Sequence, residues 1–291
     1  MSGQTAVRIA LLQMTTGIDP AANAAAMVRA VHAAAGEGAA MLFTPEMSGL
    51  LDRERGRSSC HVVAEAENPV LAAVRGAAAK AGIWVHIGSL AVQAEDGGRW
   101  ANRAFVIDPV GEIAARYDKI HMFDVDLASG ETWRESAAYR PGEAVVTVDG
   151  TPLGRLGLAI CYDVRFPALF EELGRRQCDA IAIPAAFTVP TGRAHWHLMQ
   201  RARAVEASAF VIAAAQAGRH EDGRETYGHS LVIDPWGEVL LDLGEAAQAE
   251  GVLGFAEVDL ARIAEVRGQV PSLANRRSLA NQRPMPTSTR P

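Results

Sequence analysis

The chain has 291 residues, 49% apolar and 21% charged, which excludes a wholly disordered chain or a mini-protein scaffold and predicts one large domain or two small ones. Its 34 acidic and 28 basic side chains leave a net charge of −6, so there is no basic field to hold nucleic acid. The three cysteines, Cys60, Cys161 and Cys178, contain no Cys-x-x-Cys pair, and no apolar run approaches the roughly 18 residues of a membrane helix, so a cytoplasmic protein with no membrane partner is expected.

In chain order, short β-branched or apolar runs alternate with alanine-rich stretches, the pattern of an α/β fold. A strand over residues 7–13 precedes a helix over 21–35, and a strand over 40–43 precedes a helix over 69–81. Strands at 83–89 and 104–107 follow, with a strand-like stretch at 114–119. The second half begins with a strand at 155–160 and a helix at 167–176, where Pro167 takes a first helical position that needs no N–H. It continues with a strand at 180–183, a helix at 194–208, and strands at 209–215 and 230–233. From Pro271 onward the residues are rich in Arg, Ser and Pro without apolar periodicity, so residues 1–270 are read as one domain and 271–291 as a tail, loose or draped over a partner subunit.

The run from Val106 to Glu112, VIDPVGE, recurs from Val232 to Glu238 as VIDPWGE, an offset of 126 residues. One copy of Asp-Pro-x-Gly means only a turn. Two copies in matching element order imply two similar sheets, each with helices on one face. Burying the bare faces against each other gives a four-layer αββα sandwich, two similar sheets packed face to face with helices outside.

Chemistry in an open α/β sheet collects at the carboxyl ends of its strands. Cys161 lies at the end of the 155–160 strand, six residues before a helix. Glu46 follows the 40–43 strand through Thr44 and Pro45, and the matching place in the second half, after Pro184, holds Ala185. An architectural residue would be similar in both halves, so the difference points to function at Glu46. Lys119 closes the 114–119 stretch. A thiol, a carboxylate and an ammonium at strand ends supply a nucleophile, a base and a cationic stabiliser. The base is required because a free thiol is only slightly ionised near neutral pH, and a site that raises the proton affinity of Glu46 would suit it to that task. The Tyr162 backbone N–H, just after the thiol, is placed to share an oxyanion with Lys119. The histidines offer no ligand spacing, and no metal or cofactor is expected.

The segments Thr44–Met47 (TPEM), Tyr117–Asp124 (YDKIHMFD) and Ala159–Pro167 (AICYDVRFP) resemble, in order, the three catalytic segments of the nitrilase superfamily of carbon-nitrogen hydrolases. Phe187–Trp196, Arg201–Glu206 and Tyr227–Gly237 narrow the likeness to its Nit branch. The resemblance implies the same αββα sandwich, assembled as a homodimer or larger homo-oligomer through helices, and makes Glu46 the general base, Lys119 the stabilising cation and Cys161 the nucleophile. Glu135 matches the family's second glutamate. Arg165, four residues past the thiol, and Thr191, in the 188–192 loop, match positions at the substrate, where a guanidinium fork can grip a carboxylate. The implied reaction cleaves the C–N bond of a small carboxylate-bearing keto-acid amide through a cysteine thioester and releases ammonia. Deaminated glutathione is the first candidate substrate, and an omega-amide or an N-carbamoyl amino acid is the alternative. A cysteine redox sensor, with Cys178 resolving Cys161, is the reading from another class, but it leaves Glu46, Lys119 and Glu135 unexplained. One departure from the branch is His197, which follows Trp196 where an acidic residue is usual.

Overall fold

The computed structural model describes residues 6–94, 98–126, 130, 132–248 and 250–277. In the first half, β1 (Ala6–Gln13), β2 (Met41–Phe43), β3 (Trp84–Val92), β4 (Ala101–Ile107) and β5 (Ile113–Asp118) are connected through α1 (Pro20–Gly36), the single-turn α2 (Arg55–Ser58) and α3 (Pro69–Ala81). An excursion then carries the two-stranded ribbon β6 (Asp124–Asp126) and β7 (Thr132–Arg134). The second half runs β8 (Thr147–Thr151), β9 (Gly154–Leu158), α4 (Pro167–Arg175), β10 (Ala180–Ala182), α5 (Val189–Ala207) and β11 (Phe210–Ala213). A second ribbon, β12 (Ala217–Arg219) with β13 (Glu225–Tyr227), precedes β14 (Leu231–Ile233), β15 (Val239–Asp242), β16 (Val252–Asp259), α6 (Ala261–Gln269) and α7 (Ser272–Asn275).

The two main sheets repeat one plan. Their orders are β16-β1-β2-β3-β4-β5 and β8-β9-β10-β11-β14-β15, each with an antiparallel edge, two parallel pairs and two antiparallel pairs in the same sequence. One irregularity also matches: the ladder shifts at Val106/Ile107 in one sheet and at Val232/Ile233 in the other, 126 residues on, whereas the shifts at Ile87/Leu90 and Val148/Thr151 have no counterpart.

Strand alternation shows which face each sheet buries. Ile9, Leu11, Met41 and Phe43 join Leu156 and Leu158 of the other sheet in one core, whereas Ala10, Leu12 and Leu42 pack with α1 and α3 in another. The helices therefore lie outside and the sheets meet inside. Helix starts follow from local chemistry: Asn68 accepts from the Val70 and Leu71 N–H groups and Pro69 takes the first turn of α3, which ends at Gly82 in the left-handed region. Helix α5 begins at Val189, five residues before the expected start, because Pro190 and Thr191 form its first turn. Pro190 initiates this helix because the donor it lacks has no intrahelical partner there. Thr191 is accordingly helical and not in a loop.

The segment read as a tail begins as structure. Ser272–Asn275 form α7, Leu273 packs beside Gly174 of α4, and Arg276 donates to the Glu171 carbonyl at 3.0 Å. Residues 278–291 lie outside the described residues.

Candidate active site

Three strand ends from two sheets converge. Glu46 sits on a turn just past β2, and that turn lies so close to β3 that a Cβ on Gly88 would come within 2.1 Å of the Thr44 carbonyl oxygen. Only glycine permits this approach. The Gln216 side chain holds the turn from the other half by donating to the Glu46 carbonyl at 2.9 Å. Lys119 follows β5, and its N–H is tied to the Asn102 carbonyl of β4 at 2.9 Å.

Cys161 follows β9 and adopts a φ of 49°, an uncommon left-handed conformation for a non-glycine residue. Its own N–H is occupied by Pro184 O at 2.9 Å, whereas the next N–H, of Tyr162, meets no acceptor among the described residues. Asp163, fully buried, fixes this turn by accepting from Ile160 N at 2.9 Å, Tyr117 Oη at 2.7 Å and His121 N at 3.0 Å. The turn that carries Cys161 is thus bolted to the segment that carries Lys119.

Lys119 Nζ donates to Glu46 Oε1 at 2.9 Å and to Glu135 at 2.8 and 3.0 Å. Asn102 Nδ2 bridges the same carboxylates at 3.0 and 3.1 Å. Glu46 Oε2 accepts from Ala186 N across the sheet interface at 3.0 Å, and Glu135 Oε2 accepts from Phe123 N at 2.7 Å. Glu46, Lys119 and Cys161 are 5%, 2% and 8% exposed, which puts a carboxylate, an ammonium and a thiol in one nearly dry place.

Burial pushes the Glu46 carboxyl up, but the adjacent Lys119 charge and hydrogen bond outweigh it and hold the group below its ordinary value. The expected rise in its proton affinity is therefore not found. The ammonium stands between the two carboxylates and neutralises the repulsion that would have produced that rise. Burial lowers Lys119, yet Glu135 and Glu46 raise it well above the usual ammonium value. Burial and then the Glu46 charge push the Cys161 thiol well up. The resting site holds a neutral thiol beside an ionised carboxylate.

These groups form the floor of a cavity of about 420 Å³. Arg165 lines its wall, over the rings of Phe187 at 5.6 Å and Tyr162 at 5.9 Å, with its guanidinium 3.3 Å from His195 Nδ1. It pairs with no carboxylate among the described residues. Thr191 lines the same wall, its hydroxyl 2.8 Å from that of Thr188. All seven residues singled out in the sequence lie in this one place. Asn102 and Asp163 were not anticipated. An asparagine inside an apolar strand and an aspartate two residues past the thiol were the available signals.

Two other expectations change. Cys178 Sγ packs against Gly157 of β9, four residues before Cys161, so the two sulfurs are roughly 10 Å or more apart at strand spacing and cannot pair. The resolving role therefore fails on distance. His197 bonds Asp242, so the departure from the branch pattern is met by an imidazole–carboxylate contact of 2.9 Å.

The profile of the carbon-nitrogen hydrolase family matches residues 8–268. A deaminated glutathione amidase of Yersinia enterocolitica is 36% identical over 275 residues, which are 94% of this chain and 94% of its own. Among solved structures, the Caenorhabditis elegans NitFhit protein superposes with a TM-score of 0.85 at 34% identity, over 94% of this chain and 65% of that one. A mutant amidase from Nesterenkonia sp. AN1, with a TM-score of 0.77, 26% identity and 95% of each chain covered, carries the acetamide moiety of fluoroacetamide added covalently at its active-site cysteine.

Proposed function

Since the chain belongs to the carbon-nitrogen hydrolase family and so hydrolyses a non-peptide C–N bond, we propose that its substrate is a carboxylate-bearing keto-acid amide, deaminated glutathione first, cleaved through a thioester on Cys161. The observation that carries this reading is the buried Cys161, Glu46 and Lys119 cluster beneath Arg165, a wall cation with no carboxylate partner among the described residues. The covalent addition at the cysteine of the Nesterenkonia amidase supports the nucleophile, and the Yersinia relative supports the substrate.

Cys161 Sγ attacks the amide carbon as its proton passes to Glu46, and the carbonyl oxygen takes the electron pair. Lys119 Nζ and the unoccupied Tyr162 N–H stabilise this oxyanion, a contribution often worth several kcal/mol. Glu46 returns the proton to the departing nitrogen, the C–N bond breaks and the thioester remains. Water then attacks the thioester, giving its proton to Glu46, and collapse breaks the C–S bond and releases the acid as that proton returns from Glu46 to the Cys161 sulfur. Where the amide is primary the leaving group is ammonia. Deaminated glutathione is a secondary amide, so for it the expected release of ammonia is corrected: the leaving group is an amine with its own carboxylate. Arg53 and Arg55 at the cavity wall, whose guanidinium groups pair with no carboxylate among the described residues although Arg53 Nε donates to the Asp222 carbonyl at 2.9 Å, favour that longer, doubly anionic substrate over an omega-amide.

Glu135 holds Lys119 charged and aimed, and Arg165 with Thr191 reads the substrate carboxylate or keto oxygen. The same reading takes residues 1–270 as the hydrolase domain with 271–291 appended. It also places the protein in the cytoplasm; no helix among the described residues is long and apolar enough to cross a membrane. Copies pair through the face where Leu198 and Val205 of α5 and Trp236, Val239 and Leu240 of the β14–β15 hairpin leave large apolar side chains in solvent.

Intact-mass spectrometry of the protein with deaminated glutathione, alpha-ketoglutaramate, an N-carbamoyl amino acid and a neutral amide tests the reading, with acid release measured in parallel. An acyl adduct on Cys161 and the highest kcat/KM for deaminated glutathione are expected. Turnover with no adduct in wild type or in a slowed variant would overturn the thioester, and a preference for the neutral amide would overturn the substrate.

A further inference from the structure

His197 and His229 are far apart in sequence, yet they meet on the outer face of the second half with Asp242 between them. His197 Nε2 is 2.9 Å from Asp242 Oδ2, and His229 Nδ1 is 2.9 Å from Asp242 Oδ1. The three ligand atoms lie within 4.8 Å of one another. A tetrahedral ion with 2.0–2.1 Å bonds has ligand–ligand edges of roughly 3.3 Å, so the two 2.9 Å edges must open by a few tenths of an ångström and the third, within 4.8 Å, must close by up to about 1.5 Å, a movement within reach of side-chain rotation.

The surroundings favour an ion. No Lys or Arg pairs with Asp242 among the described residues, so no built-in cation competes for the carboxylate. Gly244 N–H holds Asp242 Oδ1 at 2.8 Å, an outer bond of the kind that orients metal-binding carboxylates. His229 is fixed on both sides of its peptide: its N–H donates to Gly244 O at 2.6 Å, and Trp196 Nε1 donates to its carbonyl at 2.7 Å. The Tyr227 ring stacks on the His229 imidazole at 4.4 Å, which sets the ring plane. All three residues are partly exposed, which leaves an open side for water as a fourth ligand.

We propose that His197, His229 and Asp242 form a divalent metal site, separate from the catalytic cavity, that takes zinc or a similar borderline ion. Two imidazole nitrogens with one carboxylate suit zinc, cobalt or nickel and disfavour calcium and magnesium, which select oxygen donors. The ion clamps α5 to the end of β15 and to the segment between β13 and β14. These elements also back the substrate wall: Trp196 packs on Phe187 at 4.8 Å, and Tyr227 N bonds the Phe187 carbonyl at 3.0 Å. The site is structural, and its occupancy should raise the unfolding temperature with little effect on the chemical step.

Titration of the purified wild-type chain with Co²⁺ and Zn²⁺ tests this. Expected are visible d–d bands from one Co²⁺ per chain without thiolate charge transfer, and their loss when Zn²⁺ is added. Two hyperfine-shifted imidazole N–H proton signals should appear, one from each histidine. His197→Asn and Asp242→Asn should each weaken Zn²⁺ binding by at least about tenfold, the scale set by loss of outer-shell partners alone. Affinity unchanged in both variants, fewer than two shifted imidazole signals, or a thiolate charge-transfer band placing the ion on cysteine would each overturn the proposal. The wild-type spectra decide the matter even where a variant fails to fold.

Discussion

The two halves of the molecule share a frame and divide the chemistry. Strand order, strand sense and the position of a ladder shift repeat from one sheet to the other. The Asp-Pro-x-Gly turns repeat down to their hydrogen bonds, with Asp108 accepting from Val110 N and Glu112 N and Asp234 from Trp236 N and Glu238 N. The residues around the thiol do not repeat. The counterpart of Glu46 is Ala185, and an offset of 126 pairs Lys119 with Glu245 and Asn102 with Gly228. Glu135 lies on the excursion between β5 and β8, and the shorter link from β15 to β16 has no such excursion. Packing fixed the duplicated frame, whereas the site takes its charged side chains from one half and its thiol from the other.

The largest effects should appear where the halves differ. Cys161→Ala, Glu46→Gln and Lys119→Ala should each lower kcat by about 10³-fold or more while circular dichroism stays native, since these groups act as one unit. Glu245→Gln, at the place matching Lys119, should leave kcat unchanged. A folded Glu46→Gln chain with near-normal turnover would break the assignment of the base to the first half.

Glu135→Gln should follow, with kcat lower by roughly 10²-fold, because the ammonium then loses one of its two charged partners and its aim. Unaltered rates and an unaltered pH profile in that variant would mean that the excursion is only a wall.

Most of this contrast between the halves is legible in the amino-acid sequence. The repeated turn signals two sheets because the same local chemistry recurs in the same element order, and the strand-end position of Cys161 follows from the fold class. Edge strands are harder to read. β8 and β15 are short and half exposed, so their alternation is weak. β16 reads VLGFAEVD, but nothing local in it says that it pairs with β1 from the far end of the chain. Asn102 is hidden for a related reason: its role exists only because Glu46 and Glu135 arrive from other elements. The sign of the Glu46 shift is hidden too, since two carboxylates in a sequence do not reveal the ammonium held between them.

On the proposed reading, recognition of the substrate belongs to the second half, where Arg165 and Thr191 line the cavity. Arg165→Ala should raise KM for a carboxylate-bearing amide by roughly 10- to 100-fold, from a charged contact of about 1.5–3 kcal/mol, with kcat less affected. Arg165→Lys should restore part of the loss, since a point charge keeps the attraction but not the fork. An equal loss of kcat/KM on an uncharged amide would assign Arg165 to loop support.

The raised thiol gives a pH test of the contact between halves. Its folded value lies above the ordinary 9.0, so the stability it contributes is whole below that pH and declines as pH rises beyond it, when the unfolded chain ionises first. Wild type should therefore lose more stability than Cys161→Ala between about pH 8 and pH 10. The wild-type minus Cys161→Ala ultraviolet difference should show no thiolate below pH 9. A thiolate already present at neutral pH would mean that Lys119, not Glu46, governs the resting thiol.

The smallest effect separates the two copies of the turn. Asp108 and Asp234 each hold two backbone N–H groups through Oδ1, but Asp234 is buried and its Oδ2 also accepts from Arg262 Nε at 3.1 Å. Replacing Asp108 with Ala removes bonds that water can replace, so about 1 kcal/mol is expected. Asp234→Ala removes the same bonds from a drier place and deprives Arg262 of one partner, although Glu265 at 2.9 Å keeps that guanidinium paired. The second variant should therefore be less stable than the first by only about 0.5–1 kcal/mol, the range of partly exposed ion pairs. Urea unfolding of Asp108→Ala, Asp234→Ala, Arg262→Ala and the Asp234/Arg262 double variant measures it, with the coupling in the cycle expected to account for most of the gap. If the two aspartates cost the same, or the cycle shows no coupling, the difference between the copies ends at the catalytic strand ends and does not extend to the turns.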